Sequence, residues 1–175
     1  NKPFPLGIEL TSHSDRFVVE DDLLIDLEEK RLIQCLKDKD SVVIPDAVTE
    51  IGYSAFSDCS SLQSVNIPDS ATKIGKEVFW GCKSLQSIVI PELVTVIGGC
   101  PFPLEKELTS HSDRFVVEDD LLIDLEEKRL IQCLKDKDTI VIPESVTKIG
   151  DSAFRNCKSL QSIVIPESVT KIGDE

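Results

Sequence analysis

The chain has no apolar run approaching the ~20 residues that a helix needs to cross a bilayer. Its first residues, Asn1-Lys-Pro-Phe-Pro, lack the charged and apolar regions of a secretory signal peptide. It is short of positive charge: 19 lysines and arginines stand against 32 acidic residues, a formal charge of −13. That balance disfavours nucleic acid and anionic membrane surfaces as partners, and no direct membrane insertion is expected. No Cys-x-x-Cys pair occurs, and the two histidines, His13 and His111, lie far apart in sequence. A conventional structural zinc site is therefore not expected. Gly98-Gly99 has no phosphate-loop context, and nothing else points to a cofactor.

What the chain does have is repetition. Val48-Thr-Glu-Ile-Gly-Tyr-Ser-Ala-Phe-Ser-Asp-Cys-Ser-Ser-Leu-Gln-Ser-Val-Asn-Ile-Pro-Asp-Ser70 is a 23-residue phrase that recurs as Ala71–Leu93 and as Val146–Ser168, and begins once more before Glu175. A period in this range marks a solenoid in which each unit contacts only its neighbours. A longer unit is laid over the short one, because Glu9–Asp40 is identical to Glu107–Asp138. The expected organisation is one solenoid, 1–175, with long units at 1–47 and 99–145, plain repeats at 48–93 and 146–168, and a truncated repeat at 169–175. Starting and stopping partway through units predicts a piece excised from a longer protein.

Within one repeat, Leu62, Val65 and Ile67 alternate with Ser64 and Asn66, and Pro68 closes the run. That is a short strand with one apolar face. Asp69-Ser70 signals a turn, and Gly75 of the Ile-Gly pair is expected at positive φ. Glu77–Cys82 reads as one short helical turn that puts Phe79 and Cys82 on the same side. The fold class is thus an α/β repeat solenoid, with a parallel sheet whose rungs are ~4.8 Å apart, short helical turns opposite it, and β-hairpin insertions. A single coil buries too little apolar surface to offset its own ordering entropy, so the coils must stack.

In the long units Phe102 aligns with Phe154 and Leu108 with Leu160, and His111-Ser-Asp-Arg takes the place of the strand. The inserted segment has Leu121, Ile123 and Leu125 in alternation, which suits a hairpin turning at Glu126–Lys128. A helix across Leu121–Leu134 competes, because Glu126-Glu-Lys-Arg favours helix and no hairpin glycine is present. Of the six cysteines, Cys59, Cys82 and Cys157 hold one repeat position and Cys35 and Cys133 another; the remaining one is Cys100. Equivalent placement of this kind fits free, buried packing residues better than a disulfide framework.

The phrase Val146-Thr-Lys-Ile-Gly-Asp-Ser-Ala-Phe-Arg-Asn-Cys-Lys-Ser-Leu-Gln-Ser-Ile-Val-Ile-Pro resembles the BspA-like, or treponemal, class of bacterial leucine-rich repeats. The shared elements are Ile-Gly, Ala-Phe, the Cys three residues on, and Leu-x-x-Ile-x-Ile-Pro. The long units resemble the family's variant segment, with Phe17-Val-Val-Glu-Asp-Asp-Leu-Leu and its copy at Phe115; Asp22 and Asp120 stand where the family has Gly. The resemblance implies a non-enzymatic, secreted or cell-surface protein that mediates adhesion, with a protein partner such as a host extracellular or cell-surface protein.

Ser12-His13-Ser14-Asp15 and Ser110-His111-Ser112-Asp113 hold triad residue types side by side. A working triad is gathered from distant segments, so a polar loop is the expected role and a hydrolase using Ser112 or His111 a remote one. Glu20-Asp21-Asp22 with Asp26, and Glu118-Asp119-Asp120 with Asp124, carry oxygen ligands suited to calcium, but at no EF-hand spacing; a solvated acidic edge is expected. The outward strand positions form the candidate binding surface. Val43, Asn66, Val89, Val141 and Val164 make one row, and Ser41, Ser64, Ser87, Thr139 and Ser162 make a second beside it. The first is explained either by the β-propensity of valine or by a binding strip. An architectural spacer that presents another domain is the alternative role.

Overall fold

The computed structural model describes residues 2–174. The chain winds as a β-solenoid, and among the described residues there are strands and turns but no helix. The first hairpin unit holds β1 (Phe17–Glu20), β2 (Leu23–Asp26) and β3 (Arg31–Cys35). The coils that follow carry β4 (Ser41–Val43), β5 (Glu50–Ile51), β6 (Ser64–Asn66), β7 (Lys73–Ile74), β8 (Ser87–Ile90) and β9 (Val96–Ile97). The second long unit begins with β10 (Glu107–Ser110) and holds β11 (Phe115–Glu118), β12 (Leu121–Asp124) and β13 (Arg129–Cys133). The last coils contribute β14 (Thr139–Val141), β15 (Lys148–Ile149), β16 (Ser162–Val164) and β17 (Lys171–Ile172).

Two kinds of ladder join the coils. Short parallel ladders pair β4 with β6, β8 with β10, and β14 with β16. Mixed sheets run β1-β2-β3-β5-β7-β9 and β11-β12-β13-β15-β17, so each hairpin is antiparallel within itself and then continues in parallel into the coils after it. Leu108 pairs with Ile88 and Thr109 with Val89. The long unit therefore keeps its own strand at Glu107–Ser110, and Leu108 occupies the inward position of Ile88 instead of the Leu160 position that sequence alignment assigns.

The expected helical turn does not form, and the hydrogen bonds give the reason. In the Ser54–Asp58 segment alternate amides donate to the next coil: Ser54 N–H to Lys76 O, Phe56 N–H to Val78 O and Asp58 N–H to Trp80 O. An α-helix would need those amides internally. Two residues per coil also take left-handed φ: Ser54, Glu77 and Ser152 at one position, and Asp58, Gly81 and Asn156 at another. Each breaks a right-handed run. The structure is thus all-β, where the sequence suggests α/β.

The Ile-Gly glycine also differs from expectation. Gly75 is not among the residues with positive φ. Its requirement is space: a Cβ there would meet Ile51 O of the preceding coil at 2.9 Å, where the Gly75 N–H donates to that same carbonyl.

The hairpin prevails over the competing helix because both its faces are buried. Leu121, Ile123 and Leu130 join the core cluster of Val146 and Ile149, while Leu122 and Ile131 join the cluster of Phe79, Phe102 and Phe115. That two-sided burial suits a period of two and leaves a helix no solvent face. The turn forms without glycine because Lys128 takes φ 49° and Asp124 accepts the amides of Glu126 and Glu127. At the other end of β12, Asp119 and Asp120 both take left-handed φ, the geometry of a type I′ turn. Asp is tolerated there, which resolves how it replaces glycine.

Phe56, Phe79 and Phe102 stack in a column, with ring centroids 5.3 and 6.2 Å apart. Five cysteines are buried and Cys157 is half-buried; all are free. The thiols of Cys35, Cys82, Cys133 and Cys157 donate to backbone carbonyls, as Cys82 does to Phe56 O, and burial pushes the Cys82 thiol up to about 12.

The buried carboxylate of Asp26 shows how the hairpins are pinned. It accepts two amides of its own turn and a forked bond from Arg16. The Arg16 guanidinium holds the Asp26 carboxyl below its ordinary value. A depressed carboxyl contributes stability above its unfolded pKa of about 4, and that contribution is lost as pH falls toward the folded value. Asp26→Asn is therefore expected to lower stability at pH 7 and to flatten the acid loss over the range from pH ~7 to below the unfolded carboxyl value of about 4. Urea unfolding at both ends of that range checks it; equal acid slopes in both proteins would refute it.

Candidate protein-binding face

The strands that carry the candidate strip alternate strictly. Val42 and Ile88 point into the core, while Val43 and Val89 point out and are 66% and 41% exposed. On the last coils Val141 and Val164 point out in the same way, at 61% and 51%. Asn66 and the hydroxyl row, Ser41, Ser64, Ser87, Thr139 and Ser162, are exposed as well. Large β-branched side chains left this open are not required by the core, since the inward positions already fill it.

The register sets which of these meet. Val43 lies opposite Asn66, and Ser41 opposite Ser64, whose hydroxyls are hydrogen-bonded at 3.0 Å. Val89 lies opposite Thr109, and Ser87 opposite Glu107. Val141 lies opposite Val164, and Thr139 opposite Ser162. Thr109 and Glu107 thus belong to the face, although the sequence comparison placed no strand there. The face runs over three separate ladders, β4 with β6, β8 with β10, and β14 with β16; β6 and β8 are neighbours, so the first two adjoin.

Just past each strand, in the turn after its proline, stands an exposed carboxylate: Asp46, Asp69, Glu92, Glu144 and Glu167. Each lies three residues from its outward strand residue, so an acidic row runs along the border of the apolar one. A partner that matches it carries an apolar or β-branched centre with a basic margin.

The triad-like serines are committed elsewhere. Ser14 Oγ accepts the amides of Arg16 and Phe17. Ser112 Oγ accepts the amide of Arg114 and donates to Val94 O, while His13 and His111 stand exposed. These hydroxyls organise the entry to each hairpin. Four of the eight acidic residues weighed for calcium are paired with cations: Asp22 with Lys37 and Lys39, Asp120 with Lys135 and Lys137, Asp26 with Arg16, and Asp124 with Arg114. The lysines at Asp22 and Asp120 hold both carboxyls below their ordinary value. Among the described residues no group of three or more His, Cys, Asp or Glu is placed to hold a metal ion. No helix among them is long and apolar enough to cross a membrane.

Sequence reasoning missed Gln34 and Gln132. Both are fully buried. The Gln132 carboxamide accepts from Phe102 N–H at 3.2 Å and donates to Phe102 O at 2.7 Å, and Gln34 does the same to Phe4. A side chain here replaces a backbone ladder. The signal for it was a polar residue in an otherwise apolar strand, Arg-Leu-Ile-Gln-Cys.

The sequence profile of the BspA-type leucine-rich repeat region matches residues 30–112 and 127–175, in six copies. Among solved structures, a leucine-rich cell-surface protein from Faecalibacterium prausnitzii is 34% identical, with a TM-score of 0.65, over 77% of this chain and 37% of that one. A leucine-rich repeat protein from Eubacterium ventriosum is 24% identical, with a TM-score of 0.61, over 81% of this chain and 45% of that one. The pneumococcal vaccine antigen PcpA is 22% identical, with a TM-score of 0.62, over 79% of this chain and 36% of that one. The last two bear on the fold alone. The chain spans less than half the length of each of these three structures. No curated protein matches it.

Proposed function

This chain belongs to the BspA-type leucine-rich repeat family of bacterial proteins, and from that premise we propose that it is a non-enzymatic adhesion module acting at the cell surface or outside the cell. The observation that carries the proposal is the row of exposed valines, bordered by carboxylates, on coils whose core is already complete. The partner is a protein, such as a host extracellular or cell-surface protein, whose contact surface has an apolar centre and a basic margin. Surface location draws support from the described similarity to a leucine-rich cell-surface protein.

The architectural spacer remains the second reading, and the exposed valines argue against it: a spacer gains nothing from apolar side chains left open at outward strand positions. A hydrolase draws no support from serines whose hydroxyls are bonded to backbone groups.

The test is capture of immobilised extracellular-matrix and host-surface proteins by the chain and by the double variant Val89→Asp, Val164→Asp. Both side chains are exposed, so circular dichroism is expected to be unchanged. Binding is expected to weaken ~10-fold or more, the loss typical of an apolar anchor replaced by a charge. Unchanged affinity would remove the strip as the binding surface, and a chain that captures none of these proteins would favour the spacer.

A further inference from the structure

Each hairpin unit meets the coil after it with a pair of thiols at the junction. Cys133 closes β13, and Cys157 stands in the turn of the next plain coil. Both Sγ atoms reach the same oxygen, Lys135 O, at 3.1 and 3.9 Å. The backbone holds the two segments together there: Cys133 N–H donates to Ala153 O at 2.7 Å, and Gly150 N–H to Leu130 O at 2.8 Å. The first hairpin unit repeats the arrangement. Cys35 Sγ donates to Lys37 O at 3.1 Å, while Cys35 N–H donates to Ala55 O and Gly52 N–H to Leu32 O, both at 2.8 Å. Cys35 and Cys59 lie in one core cluster. Neighbouring rungs of a sheet are ~4.8 Å apart, inside the Cα separation that a disulfide spans.

The two members of a pair differ in acidity. The Cys157 thiol, hydrogen-bonded to Cys133, draws that sulfur down to about 7, and Cys59 draws Cys35 down in the same way. Cys157 and Cys59 are pushed up in return, by that contact first and by burial second. At Cys82 and Cys100 burial is the first cause, and both are pushed up. Each hairpin thus supplies the more acid sulfur and each coil a thiol beside it, the arrangement of an attacking and a resolving cysteine.

We propose that Cys35 with Cys59, and Cys133 with Cys157, are two oxidation-sensitive staples, each of which closes to a disulfide when the chain meets hydrogen peroxide. The Cys133 thiolate attacks one peroxide oxygen; an S–O bond forms, the O–O bond breaks, and hydroxide leaves. Cys133 is then a sulfenic acid and the peroxide has been reduced. The Cys157 sulfur attacks the sulfenic sulfur; an S–S bond forms, the S–O bond breaks, and the Cys157 proton leaves with the hydroxyl as water. Cys35 and Cys59 follow the same two steps. Peroxide is small and uncharged, which suits sulfurs in a packed interior. A closed staple ties the hairpin to its coil and restricts the unfolded chain, so the oxidised form is the more stable one. A dithiol reductant reopens it. The inference stands apart from the adhesive role.

Peptide mapping of the intact chain tests this. The wild type is treated with hydrogen peroxide, its remaining thiols are blocked with N-ethylmaleimide in urea, and the digest is read by mass spectrometry. Two cross-linked peptide pairs are expected, Cys35 to Cys59 and Cys133 to Cys157, with Cys82 and Cys100 blocked as thiols. The urea midpoint is expected to rise by about 1 M on oxidation and to return with dithiothreitol. Cys133→Ala is expected to keep the first link, lose the second and show a smaller rise. Six blocked thiols after peroxide overturn the proposal. So do cysteines oxidised singly to sulfinic acid, links between Cys59 and Cys82 or between chains, or a midpoint that stays put although both links have formed.

Discussion

Phe79→Ala is expected to destabilise the solenoid by ~3–5 kcal/mol, the cost of a cavity left by a fully buried phenyl ring. Phe79 lies between Phe56 and Phe102 in the aromatic column and is fully buried. Collapse around the gap is opposed on both sides, because the backbone of each neighbouring coil is held by ladder bonds to Phe79's own coil. The internal comparison is Phe154, the same repeat position one long unit later. It is only half-buried and packs in the second core cluster. Phe154→Ala is expected to cost roughly half as much or less, since much of its ring already meets water. Denaturant unfolding of the two variants decides it. Equal losses would mean that burial along the column does not govern stability.

Gln132→Leu is expected to cost ~2–4 kcal/mol, because it strips Phe102 of both backbone partners in a site from which water is excluded. Leucine fills a similar volume, so the loss would report hydrogen bonding more than packing. Gln34→Leu makes the same change in an identical stretch of sequence, but the backbone it serves belongs to Phe4, which is half-buried beside the open cleft. Water can reach those groups, and the expected loss is under about half of that for Gln132. Chemical denaturation of the pair is the measurement. Equal effects would show that the carboxamide acts through its own burial and not through the groups it satisfies.

The coil path was legible because its determinants are local and repeated. Leu62, Val65 and Ile67 announce a strand with one buried face, and Pro68 announces its end. The hairpin was legible as an alternation, but its competition with a helix was decided by something outside the segment: the coils on either side that cover Leu122 and Leu121 from opposite directions. The turn side was misread for a related reason. Glu77–Cys82 has helical spacing, yet its amides are claimed by the next coil, as Phe79 N–H is by Pro101 O. The hint available in sequence was the residue type at the second left-handed position, Asp58, Gly81 and Asn156, all of which adopt that conformation readily. At the candidate face, the valine and serine rows followed from period-two counting. Thr109 and Glu107 did not, because their strand lacks the closing proline that marks the others. Gln132 was marked only as a polar residue beside apolar ones; its role depends on a backbone 30 residues away, which no local pattern supplies.

Nearly all the bonds between coils point along the long direction of the molecule, from each turn of the winding to the one beneath it. In the adhesive role proposed above, this sets the response to a pull. Tension between the two ends passes through every layer in series, and only a few peptide links resist at any one layer. The body gives way like an uncoiling spring, one winding at a time, so that slack is released and the load on the attachment point is blunted. The carboxamide rivets of the two hairpin units are the places where that unwinding would pause.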